Sequence, residues 1–251
     1  MKFSGNFLHN KNGILSIEFA ACLGLFSVIV FIIYDVYSTI MLQNRLERAN
    51  YAVASIFRER SSLFPAINGS DFSLCGNSNP CFQSYELFDN TQAKKLSQIA
   101  SSLLNGRDVA LKIDGLFIFQ DVAHPASLER AELVALSAES CPSGNCNNGI
   151  RNYFTSLPSI NNRSNSLYNY SKLTPYVPRI ADPTSGLAGR WIPLYRVSIC
   201  IVNEESLYLK WLNSNRQSTD TLPNLCSNIV VLSRCNDILN VDETACPIYH
   251  R

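Results

Sequence analysis

The sequence has little charge and few of the side chains that usually carry catalysis. Charged residues make up 16% of its 251 residues, the formal net charge is +1, and there are three histidines. A net charge so close to zero gives no electrostatic reason to expect nucleic acid as a partner. The chain contains no GxSxG or HExxH motif, no phosphate-binding loop and no EF-hand loop. These absences argue against an enzyme, and no residue pattern predicts a cofactor or a metal site.

The overall composition excludes two further classes of protein. Hydrophobic residues account for 46% of the chain, which is more than a disordered protein would carry. The mean hydropathy of +0.01 is far too low for a transporter with many membrane-spanning helices. The length suggests one or two domains.

One long apolar segment departs from this average. Residues Ile14–Tyr34 form a run of 21 residues in which Glu18 is the only charge. As a helix that rises about 1.5 Å per residue, the run would span roughly 30 Å, the thickness of a hydrocarbon core. The apolar stretch Trp191–Val202 is shorter and is interrupted by Arg196, so it reads as a strand. We therefore predict a protein that crosses a membrane at most once.

Charges beside the apolar segment predict its orientation. Lys2 and Lys11 precede it without any acidic residue, and Asp35 follows it. Positive charge on a short flank favours the cytoplasmic side, which would place the C-terminal region in the periplasm of a bacterium. A secretory signal peptide is the alternative. The apolar run is, however, longer than the usual signal region of about 7–15 residues, and residues 36–38 are a poor cleavage site.

The helical pattern continues beyond the apolar segment. No glycine or proline occurs between Leu25 and Phe64, and Pro65 ends the pattern, so we predict one continuous helix over Ile14–Arg60. Its second half would be a stem that emerges from the membrane, part of which can pack against the protein's own outer domain. The stripe on one face of this stem consists of Leu42, Leu46, Ala49, Val53 and Ile56.

The outer region, residues 61–251, is predicted to be a periplasmic α+β domain with a mostly antiparallel sheet. Helical spacing favours a helix over Thr91–Leu104 and a short one over Leu207–Leu212. Val109–Val122 reads as one long strand or as a hairpin that turns at Asp114-Gly115. Further strands are predicted at Glu132–Ser140, Trp191–Asn203 and Ile229–Ser233.

Nine cysteines are many for a protein of a reducing compartment, and their distribution fits the predicted topology. Cys22 lies inside the membrane segment, and the other eight lie in the outer region, where an oxidising environment lets them pair. Eight cysteines allow 105 pairings, and the pairing among the last four is a preference only. Zinc binding is the alternative to disulfides. The favoured pairs are Cys75–Cys81, Cys141–Cys146, Cys200–Cys226 and Cys235–Cys246.

The residues at the start of the apolar segment form a motif. Gly13 is followed by four residues, then by Glu18 and the aromatic Phe19. This pattern resembles the site at which prepilin peptidases process type IV pilins, and it looks most like that of tight adherence (Flp) pilins and pseudopilins. A weaker similarity, carried by residues Arg190–Cys200, is to a strand of TadF-type minor pseudopilins, with the TadE and TadG types still open.

The resemblance implies processing, partners and a function. A membrane aspartyl peptidase would cut between Gly13 and Ile14, so residues 1–13 would be a leader and residues 14–60 the membrane and stem helix. The chain would act as a minor pseudopilin in pilus initiation or assembly, adhesion and biofilm formation. Its partners would be the prepilin peptidase, other pilins and pseudopilins, the inner-membrane assembly platform and the lipid bilayer. The alternative is a membrane-anchored surface adhesin that is not incorporated in a pilus.

Glu18 has a physical reason to need a partner. An ionised carboxylate inside a bilayer costs about 2.5–3.5 kcal/mol on insertion scales. Cleavage would create an ammonium group at Ile14, four residues upstream and therefore on the same helix face. The pair could form within one chain or between neighbouring chains. Glu18 could instead lie close enough to the lipid headgroups to extend into them.

Overall fold

A single long helix opens the structure. The computed structural model describes residues 11–69, 83–164, 167–178, 181, 186–202, 224–235 and 246–251. Helix α1 runs without a break over Lys11–Arg58, which confirms the continuous helix predicted from the sequence. At about 1.5 Å per residue it is roughly 70 Å long. A turn of 3-10 helix at Arg60–Ser62 follows it.

The described part of the chain beyond α1 contains two more α-helices and eight strands. Two strands precede α2, two lie between α2 and α3, and four follow α3. Four of the strands form the central sheet, and the others form two small sheets, β1-β2 and β5-β6. The elements are β1 (Ile67–Asn68), β2 (Gln83–Ser84), α2 (Asn90–Leu103), β3 (Val109–Phe119), β4 (Glu132–Ser140), α3 (Asn148–Ser156), β5 (Tyr176–Pro178), β6 (Gly189–Trp191), β7 (Leu194–Val202) and β8 (Asn224–Leu232).

The central sheet has four strands in the order β4-β3-β7-β8, and every neighbouring pair is antiparallel. α1 packs against β7 and β8, and α2 packs against β3 and β4, so the two helices cover one face of the sheet. α3 covers part of the other face, where Ile150 and Phe154 pack with Ala110 and Cys200. This arrangement confirms the predicted α+β fold with an antiparallel sheet.

β3 is one uninterrupted strand, so the hairpin alternative at Asp114-Gly115 is wrong. Both residues lie in mid-strand and are paired with β4 on one side and with β7 on the other. Gly115 serves packing rather than a turn, because a Cβ at this position would lie 2.6 Å from Cε1 of Phe88. The absent side chain makes room for the Phe88 ring over the sheet.

The predicted elements α2 and β4 are both present. α2 begins after Asp89, whose carboxylate caps the helix by accepting the Gln92 N–H at 2.8 Å. β4 has the predicted bounds. β8 begins at Asn224, five residues before the predicted start at Ile229. The short helix predicted at Leu207–Leu212 lies outside the described residues.

Two elements differ from the sequence prediction. The predicted strand from Trp191 to Asn203 is divided into β6 and β7 at Ile192-Pro193, because proline has no N–H to donate to a sheet ladder. α3 was not predicted, although it carries a local signal. Its cap is Asn147, whose side-chain oxygen accepts the Ile150 N–H at 2.7 Å.

The second half of α1 belongs to the core of the outer domain. Leu46, Val53 and Phe57 are completely buried, and the rings of Phe57 and Tyr195 meet edge-on with centroids 4.9 Å apart. The apolar stripe read from the sequence therefore packs against the protein's own domain. The removal of these apolar side chains from water stabilises this part of the helix against the domain.

Three disulfides join the pairs that the sequence analysis favours: Cys141–Cys146, Cys200–Cys226 and Cys235–Cys246. The second of these links directly opposed residues of β7 and β8. Cys75 and Cys81 lie outside the described residues. Cys22 is a free thiol on the exposed part of α1.

Candidate functional site

The exposure of apolar side chains changes abruptly along α1. Between Ile17 and Met41 the large apolar residues are exposed, and Phe26 and Ile33 have 64% and 63% of their surface accessible. At Leu42 the exposure drops to 3%, and the domain core begins. The helix is long and apolar enough to cross a membrane. So large an apolar surface needs lipid or protein to cover it.

Two tyrosines mark the boundary between the exposed and buried halves of the helix. Tyr34 and Tyr37 are 64% and 61% exposed, and Leu42 follows within about 12 Å of helix. Tyrosine favours the level of the lipid headgroups, where its ring is in an apolar layer and its hydroxyl in water. The outer domain is therefore joined to the apolar half of α1 by continuous helix, with no flexible linker between them.

The predicted processing residues lie at the start of this helix. Gly13 and Ile14 are in the first turn, because α1 begins at Lys11. The side chains of Glu18 and Phe19 are exposed within the apolar half. Glu18 is four residues from Ile14, and such a pair shares one face of a helix.

A buried ionic cluster lies in the outer domain around Glu86. Its carboxylate is fully buried, and Oε1 accepts hydrogen bonds from Nη2 of Arg190 at 2.5 Å and from Oγ of Ser233 at 2.8 Å. The Tyr249 hydroxyl donates to Oε2 at 3.3 Å, and the Tyr195 hydroxyl donates to the backbone carbonyl of Glu86 at 2.8 Å. Burial, and next the charge of Glu86, raise the pKa of both phenols above the ordinary value, so they stay protonated donors.

Arg60 adds a second buried cation beside this cluster. Its Nε donates to the Tyr85 carbonyl at 2.5 Å, and its Nη2 donates to the Leu87 carbonyl and to the side chain of Gln92. The guanidinium also lies 4.7 Å from the ring centre of Phe57. Burial lowers the pKa of Arg60 from its ordinary value. The cluster thus ties the end of α1 to the chain before α2.

A second buried ion pair joins β3 to β7. Nη2 of Arg196 lies 2.6 Å from Oδ2 of Asp114, its registered neighbour across the sheet. The Ser137 hydroxyl donates to Oδ1 at 2.6 Å, and Nη1 of Arg196 donates to the Pro158 carbonyl at 2.7 Å. Both oxygens of the carboxylate are satisfied, so this pair stabilises the sheet rather than supplying a free base.

Comparison with known families decides what kind of protein this is. A family model described as "Putative tight adherence pilin protein F" (TadF) matches residues 6–234, which is most of the chain. The chain belongs to the TadF family. The match covers the apolar helix as well as the outer domain, and it selects TadF from the three types left open by the motif. No curated protein and no solved structure matches the chain.

The predicted processing residues on α1 and the cysteines of the outer domain do not form a single site in this TadF protein. Glu18 and Phe19 lie on the exposed half of α1, and the three disulfides lie in the outer domain. His124 is on the surface with Nδ1 2.8 Å from Nη1 of Arg130. In the described ranges no three metal-ligating side chains come together.

Sequence analysis missed the cluster around Glu86. Glu86 and Arg190 are 104 residues apart, and nothing in the local pattern of either pairs one with the other. The only available signal was an ionisable residue inside an otherwise apolar stretch, which is the usual sign of a buried pair.

Proposed function

We propose that this TadF protein is a minor pseudopilin of a tight adherence pilus system. The observation that carries the proposal is the continuity of α1, which passes from an exposed apolar half directly into the core of the outer domain. A helix of this kind inserts in a membrane, and it transmits any pull or rotation of its apolar half to the domain. That coupling suits a subunit that takes part in pilus initiation or assembly.

The proposed orientation has the N-terminus in the cytoplasm and the outer domain in the periplasm. Lys2 and Lys11 on the short flank support it, because positive charge favours the cytoplasmic side. The disulfides of the outer domain support it as well, since they persist in an oxidising compartment.

Processing would occur between Gly13 and Ile14. N–H groups in the first turn of a helix have no acceptor within the helix, and glycine weakens a helix by about 0.5–1 kcal/mol relative to alanine. The bond is therefore easier to unwind and present to a prepilin peptidase than one in the middle of α1. The same cut removes both lysines of the flank and leaves an ammonium at Ile14.

Glu18 would then register this subunit against another pilin or pseudopilin. Its carboxylate lies in the apolar half of α1, where an ionised group is costly without a partner. The new ammonium of a neighbouring chain supplies that partner. The proposed partners are the prepilin peptidase, other pilins and the inner-membrane assembly platform. Adhesion and biofilm formation would follow from pilus assembly.

The mass of the intact, membrane-extracted protein tests this function. We expect a chain that begins at Ile14 and lacks the first 13 residues, because the peptidase acts after Gly13. A chain that begins near Thr39 would indicate signal peptidase and release from the membrane. An uncleaved chain would remove the pseudopilin proposal. Gly13→Ala is the matched substitution, and it should leave the protein full length in the same membrane.

Replacing Glu18 by leucine should abolish pilus assembly while improving membrane insertion. Leucine removes an insertion cost of about 2.5–3.5 kcal/mol but also removes the only charge in the apolar run Ile14–Tyr34. Pili are counted by electron microscopy, and insertion is measured in the membrane fraction. Glu47→Leu is the control, since Glu47 is exposed on the same helix beyond the apolar half. Normal pili with Glu18→Leu would disprove the registering role.

A further inference from the structure

The central sheet ends in two strands that carry no charge over most of their length. β4 and β8 are the outer strands. β8 has no charged residue, and β4 has none between Glu132 and Glu139. Proteins usually protect such strands with lysine, proline or a bulge, because the unpaired backbone groups of a sheet edge attract other strands. Both edges of this sheet lack that protection.

The outer edge of β4 is closed at its two ends and open in the middle. The Asn90 side chain accepts the Glu139 N–H at 3.0 Å, and Arg163 donates to the Ala131 carbonyl. Since backbone groups of alternate residues point to the same side of a strand, Leu133, Ala135 and Ser137 also direct their N–H and C=O groups outward. Nothing in the described chain bonds to these groups. The side chains of Ala135 and Ser137 are exposed, so a strand can approach.

The outer edge of β8 has a matching window. Cys200 and Cys226 are opposed with their Cα atoms 4.2 Å apart, the spacing of a pair that exchanges no backbone hydrogen bonds. The N–H and C=O of Cys226 therefore point away from β7, and so do those of Asn228 and Val230. Within the described residues these groups have no partner. Leu232 continues the series at the end of β8, and beyond the strand the Arg234 N–H donates to the Arg58 carbonyl at 3.1 Å.

We propose that β8 of one copy of this protein pairs with β4 of a second copy. Three residues of each window align antiparallel, with Asn228 opposite Ala135, Cys226 opposite Ser137, and Val230 opposite Leu133. Each of these pairs would exchange two backbone hydrogen bonds. The faces also match, because Val134 and Leu136 would continue the surface that β8 presents to α1.

Strand direction selects this pairing over the symmetric one. In the order β4-β3-β7-β8 the two outer strands run in opposite directions, so copies with the same orientation pair antiparallel. Chains anchored in one membrane have the same orientation, and this step rests on the proposed insertion of α1. A two-fold pairing of β4 with β4 would instead invert one α1. The β8–β4 contact joins unlike surfaces, so it can add copies in a row rather than stop at two.

Cysteine cross-linking in membranes tests the pairing. In a Cys22→Ser chain, the double substitution Ala135→Cys and Asn228→Cys places two cysteines opposite each other across the contact. Their Cα atoms would be about 5.5 Å apart, within the range for a disulfide. We expect a non-reducing gel to show dimers and larger species, whereas either single substitution shows none. The matched control is Ser137→Cys with Asn228→Cys, which is displaced along the strands to a distance too great for a disulfide.

The outcomes separate this proposal from the proposed function. Cross-linking by Ala135→Cys alone would show the two-fold pairing, and an equal yield from the displaced control would show unspecific collision. Either result, or a processed, membrane-inserted double variant without cross-links, would overturn the β8–β4 contact. The mass of the reduced band reports processing at Gly13 independently.

Hydrogen exchange tests the same contact without any substitution. The backbone amides of Leu133, Ala135 and Ser137 should exchange their hydrogens slowly in membranes and rapidly after dilution into detergent. Rapid exchange in both would also overturn the β8–β4 contact.

Discussion

A fragment that begins at Ser61 is expected to be unfolded, whereas one that begins at Ser38 should fold. The sequence places the end of the stem at residue 60, which makes the shorter fragment an obvious candidate for a soluble domain. The second half of α1 nevertheless forms part of the core, and removing it would expose the faces of β7 and β8 that it covers.

The size of the effect follows from the residues that the shorter fragment loses. Leu42, Leu46, Val53 and Phe57 are at most 3% exposed. Burying one such side chain is worth roughly 1.5–3 kcal/mol, so the four together contribute about 6–12 kcal/mol. A whole domain is stable by only about 5–15 kcal/mol. The loss of Arg60, whose guanidinium donates to the backbone carbonyls of Tyr85 and Leu87, adds to the deficit.

Near-ultraviolet circular dichroism and limited proteolysis of the two oxidised fragments measure this difference. The longer fragment should show fixed aromatic signals and a cooperative thermal transition, and the shorter one should show neither. The full chain in detergent is the reference for both. Cooperative unfolding of the shorter fragment would show that α1 is a separable stem and would weaken the mechanical coupling on which the proposed function depends.

The substitution Glu86→Gln is expected to lower the free energy of unfolding by about 3–5 kcal/mol. Glutamine keeps the shape of the side chain but removes the carboxylate that pairs with Arg190. A buried cation that loses its partner is left without the interaction that compensates its lost hydration. Arg60 is a second buried cation close to Glu86, so the variant would hold two buried positive charges near an uncharged glutamine. Chemical denaturation of the full chain in detergent measures the change.

Glu132→Gln is the matched control for this substitution. Glu132 forms a salt bridge with Arg251 at 3.0 Å, but both side chains are about half exposed. Exposed pairs contribute about 0–1 kcal/mol, so the control should unfold almost as the unsubstituted chain does. Equal effects of the two substitutions would mean that the carboxylate of Glu86 is not neutralising a buried charge.

The two predictions together describe how the outer domain is attached to α1. Residues 42–57 hold the domain by apolar contact. Arg60 and the Glu86 cluster fasten the end of the same helix to the chain before α2, to β6 and to Tyr249. A pilin-type subunit built in this way cannot swing its domain about the end of α1 without breaking buried ionic contacts.

Parts of this fold were predictable because their signals are local. The apolar run, the absence of helix breakers and the alternating pattern of Glu132–Ser140 each lie within one stretch of chain, and α1 and β4 follow from them. Two local signals were overlooked. Pro193 indicates the break between β6 and β7, and Asn147 is a capping residue that indicates the start of α3.

The sequence by itself determined that this protein has a helix long and apolar enough to cross a membrane, an acid near its start and an α+β domain beyond it, since length, polarity and residue spacing suffice for these. Only the tertiary structure decided that half of the helix belongs to the domain core, that Gly115 makes room for Phe88, and that Glu86 pairs with Arg190. It also decided which strands lie at the edges of the sheet. These features depend on contacts between residues far apart in the chain, and the free energy of such contacts comes from burial and register, which no local pattern records.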